Sequence, residues 1–426
     1  MVKYNVFIEA GGQQIKIGAI EGHSSLDACF SYSKEYIAGK NPRAVSVSLP
    51  IQNEPFSPEC TRNYFDGLLP EGFMRKSIAS NMHFDENDYL SILARLGKEC
   101  LGAIRIDDSD TEPESGYEAV TEKQVEELAA EGVIRSSEMV INTHLSLTGA
   151  SGKVGLYYDE KKRKWYKPIG IAPSTHIVKQ SHVRLDGIVT NEQLSMLAAG
   201  KCGIDIPESF IINVGKGSDS EILFATKRYD RVIDESSPLL GSLKRPFRIH
   251  QEDFAQAMGI PSSEKYEQDG QNYAEQMFEI VRMHTKKPLE TQLALWNRIV
   301  FNYVIGNADA HIKNFSLLYD PDMGGISLAP AYDIISTAIY ENRAKDMSFN
   351  IGGVKNLDQI DEGSFKELAS RTGISERVAM SSYHNVLNQF ENAVKEAAKE
   401  LKELGFYNAG DIAERILLAR KKILTL

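Results

Sequence analysis

Residues 2–8 alternate apolar and polar side chains, and a second alternating stretch, 13–20, comes after Gly11-Gly12. That pattern predicts a β-hairpin. Helical spacing occupies 24–38. AVSVSL at 44–49 reads as a strand stopped by Pro50. Residues 61–69 and 71–80 read as two short helices broken at Pro70. A helix over 89–96 and a strand over 102–106 complete this region. DDSDTEPESGY, residues 107–117, has little to bury and reads as a linker.

Beyond it the periods mix. A helix is predicted over 121–130. SLTGASGKVGLYY, 146–158, is a glycine-bearing turn leading into a strand. Further strands are expected at 165–168, 175–179, 210–214 and 221–229, with an amphipathic helix over 191–202. Residues 234–245 carry few signals of either kind and read as a loop. The rest is mainly helical, over 251–258, 272–284, 291–308, 363–372, 375–403 and 410–423. A hairpin, 315–319 with 325–328, interrupts it. The last two helical stretches carry charge pairs four residues apart beside apolar stripes, the mark of packing with one solvated face. Trp165 and Trp296 are expected in the core. A sheet-rich half before a helix-rich half predicts an α+β protein of two lobes with a cleft between them. Three segments are expected: 1–106, 107–230 and 231–426.

The chain has 426 residues, 42% hydrophobic and 25% charged, which excludes wholesale disorder. Acidic residues number 59 against 48 basic, a net charge of −11. That balance argues against phosphate-driven binding of nucleic acid by the chain as a whole. Cys29, Cys60, Cys100 and Cys202 are far apart with no C-x-x-C pair, which fits a reducing cytosol rather than a disulfide scaffold or cysteine zinc site. The first residues do not read as a secretion signal, and no apolar run reaches the length of a membrane span. A cytoplasmic protein without a membrane partner is expected.

The most informative stretch is NADAHIKN, 307–314. Asp309 and Asn314 lie five apart in what should be a loop after a long helix. A kinase catalytic loop uses this spacing: the Asp accepts the acceptor hydroxyl's proton and the Asn binds magnesium. Alone, D-x-x-x-x-N occurs roughly once by chance in a chain this long, and a capped polar loop is the plain alternative. A strand, a turn and a second strand come next, and then Tyr332-Asp333-Ile334. Asp333 falls where a kinase-like site needs its second metal carboxylate. His311 falls where protein kinases place a phosphate-contacting lysine. Lys179 closes the apolar strand THIVK and is the candidate phosphate lysine. Gly149-Ala150-Ser151-Gly152-Lys153 is a candidate phosphate loop. It is neither a Walker A loop nor the protein-kinase G-x-G-x-x-G.

Taken in order, these residues resemble the HipA-type serine/threonine kinases, the toxins of bacterial toxin–antitoxin pairs. The resemblance spans nearly the whole chain. It rests on NYFDGLLP (63–70), LGKECLG (96–102), SLTGA (146–150) with Lys153, THIVK (175–179), QED (251–253), KYEQDG (265–270), DAHIKN (309–314) and YDIIS (332–336).

The resemblance implies a two-lobed protein-kinase-like fold with an extra N-terminal α/β subdomain and a helical C-lobe. It implies ATP with Mg²⁺ and transfer of the γ-phosphoryl group to a protein hydroxyl. Asp309 is then the catalytic base, Asn314 and Asp333 the metal ligands, and Lys179 a contact of the ATP phosphates. Lys227 and Tyr229 lie at the strand end expected to meet the adenine. Ser146 is the implied autophosphorylation site, an off switch beside the glycine-bearing loop. Glu192, on the helix 191–202, reads as an exposed helix glutamate rather than an ion-pair partner of Lys179. Family members phosphorylate aminoacyl-tRNA synthetases, and their partner is a small HipB-like antitoxin that supplies the DNA contact. Two other classes use similar residues: a small-molecule kinase of the aminoglycoside or choline type, and a kinase-like regulator without catalysis that binds a DNA-binding antitoxin.

Overall fold

The computed structural model describes residues 2–108, 115–131, 152–181, 185–341 and 344–424. The chain divides into two compact units, each built from separated stretches of sequence. The first comprises Met1–Gln180, Ala225–Ser262 and Leu318–Ile326; the second comprises Ser181–Phe224, Ser263–Leu317 and Ser327–Leu426.

In the first unit the alternation at the start of the chain forms the expected hairpin, Val2–Ala10 with Gln13–Gly22. The sheet runs in the order Cys29–Tyr32, Gln13–Gly22, Val2–Ala10, Ile104–Asp107. The helix expected over 24–38 does not form. Asp27 accepts the backbone N–H of Ser24 at 2.7 Å and of His23 at 3.0 Å, closing a turn instead. Phe30 and Tyr32 then alternate inward on a strand, and only Lys34–Ile37 is helical. The strand expected at 44–49 is likewise replaced, by a turn with the single bridge Ser46–Leu49. The N–H of Val47 goes to the Glu252 carboxylate at 3.0 Å rather than to a neighbouring strand, and the Ser46 hydroxyl donates to the same group.

A second sheet in this unit places Gly116–Ala119, Lys164–Ile169, Lys153–Asp159 and His176–Gln180 side by side, all antiparallel. The linker read over 107–117 therefore ends in a strand; residues 109–114 lie outside the described ones. The loop read at 234–245 contains a two-residue hairpin, Leu239–Leu240 against Leu243–Lys244.

The centre of this unit holds a network of charges that the sequence did not announce. Glu99, 1% exposed, accepts hydrogen bonds from Arg228 (3.1 Å), Arg231 (2.9 Å) and Arg248 (2.8 Å). Asp230 accepts from Arg228 at 2.8 Å and from the N–H of Gly102 at 2.7 Å. Glu9 takes Arg245 at 2.6 Å. Burial alone would push the Glu99 carboxyl up, but the three guanidinium groups outweigh it and hold it down to about 2.

The second unit is the helical one. Tyr273–His284, Pro288–Ile305, Glu362–Thr372 and Glu376–Glu403 form its body, close to the ranges predicted. Glu376–Glu403 buries Ala379, Tyr383, Val386, Phe390, Ala393, Ala397 and Leu401, a stripe at helical spacing. Trp296 and Tyr303 meet Phe365 at ring-centroid distances of 5.7 and 5.2 Å, and Tyr383 packs its ring against Phe365 as well. Trp165 and Trp296 are both buried. The helix predicted as amphipathic over 191–202 spans Ile188–Lys201 and is buried without a break from Val189 to Met196, because Glu376–Glu403 packs against it. Glu192 is buried with it and is not the exposed glutamate expected. Among the described residues no helix is long and apolar enough to cross a membrane.

Candidate active site

The loop 307–314 begins where the helix Pro288–Ile305 ends. Gly306 closes that helix in the left-handed region, φ +75°, with its N–H turned back to the carbonyls of Asn302 and Tyr303. A Cβ at this position would lie 2.5 Å from the Cβ of Ala338. Arg420 completes the cap, donating to the carbonyls of Val304 (3.2 Å) and Tyr303 (3.0 Å), a cation at the negative end of the helix. The helix predicted over 291–308 thus stops at Gly306 and frees Asn307–Asp309 for the loop.

Side chains, not regular structure, hold the loop in place. Asn307 Nδ2 donates to Asn302 Oδ1 at 2.8 Å and to the carbonyl of Asp333 at 3.3 Å. The N–H of Ala308 reaches Thr337 Oγ1 at 2.9 Å, and Ser348 Oγ donates to the Ala308 carbonyl at 2.8 Å. Asn314 Nδ2 donates to the carbonyl of Asp309 at 3.1 Å, leaving the amide oxygen as the group able to meet a cation. His311 is buried at the start of the 3₁₀ turn Ile312–Asn314, its N–H on the Asp309 carbonyl at 2.8 Å.

Asp333 lies in the left-handed region, φ +59°. Aspartate is among the few residues with a side chain that adopt it, and such conformations concentrate at functional sites. The Tyr332 hydroxyl donates to the carbonyl of Lys313 at 2.7 Å and sits 2.6 Å from Ser316 Oγ. The chain around Asp333 is therefore tied to the Asp309–Asn314 loop at both ends, through Asn307 and through Tyr332.

Asp309 itself is exposed and lies on the wall of a cavity of about 590 Å³ within this unit. Tyr266, Ile335, Thr337, Tyr340, Met347 and Lys355 contribute to that wall. The Tyr266 hydroxyl donates to Asp309 Oδ1 at 2.7 Å. Glu267 beside it is buried, accepting the N–H groups of Tyr273 (2.9 Å) and Asn350 (3.1 Å), and it faces Lys355 Nζ at 3.6 Å. Sequence reasoning gave no role to Tyr266, Asn307 or Glu267. Tyr266 and Glu267 stood within KYEQDG, part of the family resemblance, and Asn307 opened the stretch NADAHIKN.

The first unit carries the remaining candidates. Lys153 and Lys179 are direct partners across antiparallel strands, a pairing the sequence did not reveal. The pairing sets two cationic side chains on the same face of the sheet, an arrangement suited to an anionic ligand. A Cβ on Gly152 would fall 1.8 Å from Gln180 Nε2, so a larger residue there would have to displace the end of that side chain. Lys227 ion-pairs with Glu160 at 3.2 Å, and the Tyr229 hydroxyl donates to Gln251. Ser146, Gly149, Ala150 and Ser151 lie outside the described residues.

Among the described residues no group of three or more His, Cys, Asp or Glu side chains could hold a metal. Asn314 and Asp333 offer two hard oxygen donors, which suits magnesium, an ion that keeps waters and takes substrate phosphates as further ligands. The lysine pair suits phosphate.

An α+β fold whose helical unit carries this Asp–Asn loop tied to a second Asp defines a kinase-like protein. The comparisons narrow the class. The model for the HipA N-terminal domain matches residues 9–107, and that for the HipA-like C-terminal domain matches 145–395. The protein designated Y4mE in Sinorhizobium fredii is 30% identical over 388 residues, 89% of this chain and 88% of its own. The serine/threonine-protein kinase toxin HipA of Shewanella oneidensis is 23% identical over 429 residues, 95% of this chain and 93% of its own. In the solved complex of Shewanella oneidensis HipA, HipB and operator DNA, the matching chain superposes with a TM-score of 0.79 at 19% identity, covering 98% of this chain and 97% of that one. The chain belongs to the HipA family of kinase-like proteins.

Proposed function

We propose that this protein is an ATP- and Mg²⁺-dependent serine/threonine protein kinase, the toxin of a toxin–antitoxin pair. The observation that carries the reading is the linked set Asp309, Asn314 and Asp333, held together by Asn307 and Tyr332. Bound nucleotide with magnesium supplies the γ-phosphoryl group. Asp309 takes the proton of the acceptor hydroxyl, being the exposed carboxylate of the set, as general-base geometry requires. Asn314 and Asp333 would hold the metal, Asp333 from a left-handed backbone, φ +59°, that few residues with a side chain adopt. Lys153 and Lys179 put two positive charges on one face of their sheet to meet phosphate. Ser146 is the autophosphorylation site, where about −1.5 to −2 added charge beside the 149–153 loop opposes nucleotide binding. A HipB-like protein is the partner and makes the DNA contact, which suits a chain of net charge −11. The acceptor is a protein of the translation apparatus.

The test is intact mass and peptide mapping before and after ATP–Mg²⁺, beside Asp309→Ala. Phosphate on Ser146 in the wild type alone is the expected result. No phosphate in either protein, with no ATP–Mg²⁺ binding by calorimetry, would leave the non-catalytic regulator as the better reading. A second reading is phosphorylation of a small hydroxylated molecule, for which the cavity beside Asp309, about 590 Å³, is large enough. Asp309-dependent ADP release on adding an aminoglycoside or choline, and not on adding protein, would select it.

A further inference from the structure

The general base of a phosphoryl transfer must receive a hydroxyl proton across about 2.6–3.2 Å. In the second unit such a hydroxyl is already present. Tyr266 donates its phenolic O–H to Asp309 Oδ1 at 2.7 Å, where an acceptor's O–H has to be. We propose that Tyr266 is the resident occupant of the acceptor-hydroxyl position, a gate that must swing away before another hydroxyl can reach Asp309. The proposal rests on Asp309 being the base and adds a control of access to it.

The surroundings suit a gate rather than a fixed strut. The backbone beside Tyr266 is anchored: the Glu267 N–H donates to the Ser348 carbonyl at 2.8 Å, and its carboxylate takes Tyr273 and Asn350. Tyr266, by contrast, is 42% exposed and lines the cavity. It meets His311 edge-on at 5.4 Å, and Lys265 Nζ lies 5.4 Å from its ring centre. A fixed hinge at Glu267 and an exposed ring allow rotation about the side-chain bonds while the chain stays in place. If the Tyr266–Asp309 bond is made nine times in ten, an incoming hydroxyl finds the base free about one time in ten, and its apparent affinity falls about tenfold.

The experiment uses the full chain with ATP–Mg²⁺ and water as the acceptor, comparing wild type, Tyr266→Phe and Asp309→Asn. Removing the phenolic oxygen is expected to raise ADP release about tenfold, with the KM for ATP unchanged and with Asp309→Asn abolishing release. Asp309-dependent release that stays equal or slows in Tyr266→Phe overturns the gate and makes Tyr266 a positioning residue. No Asp309-dependent release in wild type or Tyr266→Phe overturns the gate, and if Ser146 also stays unphosphorylated the kinase reading falls with it. A second measurement needs no nucleotide. Tetranitromethane attacks ionised phenols, so a phenol held on a carboxylate reacts slowly. Peptide mapping is expected to show Tyr266 nitrated several-fold faster in Asp309→Asn, with the other tyrosines as controls. Equal rates would mean that the bond is not held in solution, and the gate fails.

Discussion

Gly306→Ala tests whether the turn that launches the catalytic loop has the packing described. Two costs arise there. A residue with a Cβ at φ +75° costs about 1–2 kcal/mol relative to glycine. The new methyl would also lie 2.5 Å from Ala338 Cβ and 3.2 Å from Arg420 Cδ. Arg420 is a long chain that can bend, but Ala338 sits on a 3₁₀ turn whose N–H groups are bonded to the Gly306 carbonyl itself. Relieving that contact moves backbone, and overpacking of this kind costs about 1–3 kcal/mol. Less unfolded-state entropy in the alanine chain returns about 0.4–1 kcal/mol, so a net loss of about 1–5 kcal/mol is expected. The protein offers a convenient readout: of its two tryptophans, Trp165 lies in the first unit and Trp296 in the second. In a Trp165→Phe background, urea unfolding monitored by fluorescence reports the second unit. Ala338→Gly in the same chain should recover the contact share, a coupling of at least about 1 kcal/mol in a double-mutant cycle. A single-mutant loss below about 0.5 kcal/mol, or no rescue by Ala338→Gly, would refute this reasoning.

The first unit supplies three further tests. Glu99→Ala leaves Arg228, Arg231 and Arg248 without their shared carboxylate and is expected to cost about 3–5 kcal/mol in urea unfolding read by Trp165. Burial raises the Glu252 carboxyl to about 7, against the pull of Ser46, Tyr319 and the Val47 N–H, so the folded state keeps a proton that the unfolded state releases near 4.5. Stability from this group should therefore fall as pH rises between about 4.5 and 7, by on the order of 3 kcal/mol, and Glu252→Gln should remove that slope. Lys153→Met tests the phosphate role of the lysine pair. It is expected to weaken ATP–Mg²⁺ binding in calorimetry by removing one of the two positive charges paired across the strands.

Local physics made part of this legible and hid the rest. The helix predicted over 375–403 emerges as Glu376–Glu403 because its apolar stripe repeats at a spacing the sequence displays. The Asp309–Asn314 spacing was readable for the same reason, since the loop that joins them is short. Where a distant group took over the backbone, local pattern failed. AVSVSL has a strand's alternation, yet Glu252, 205 residues from Val47, takes its N–H and bends it into a turn. Helix Ile188–Lys201 looked amphipathic because Asn191 and Ser195 are polar. They are buried and bonded to each other at 3.1 Å, and Asn191 reaches the Ser336 carbonyl at 2.9 Å, just beyond Asp333. A polar residue inside a packed helix is indistinguishable in sequence from one facing water. Tyr266 and Asp309 lie 43 residues apart, and no periodicity relates them. Single chemical groups at the site could be named from spacing, because each is a property of a few adjacent residues. The contacts that set their geometry and access arise only when separated segments meet, and these contacts decide whether Asp309 is available to an acceptor.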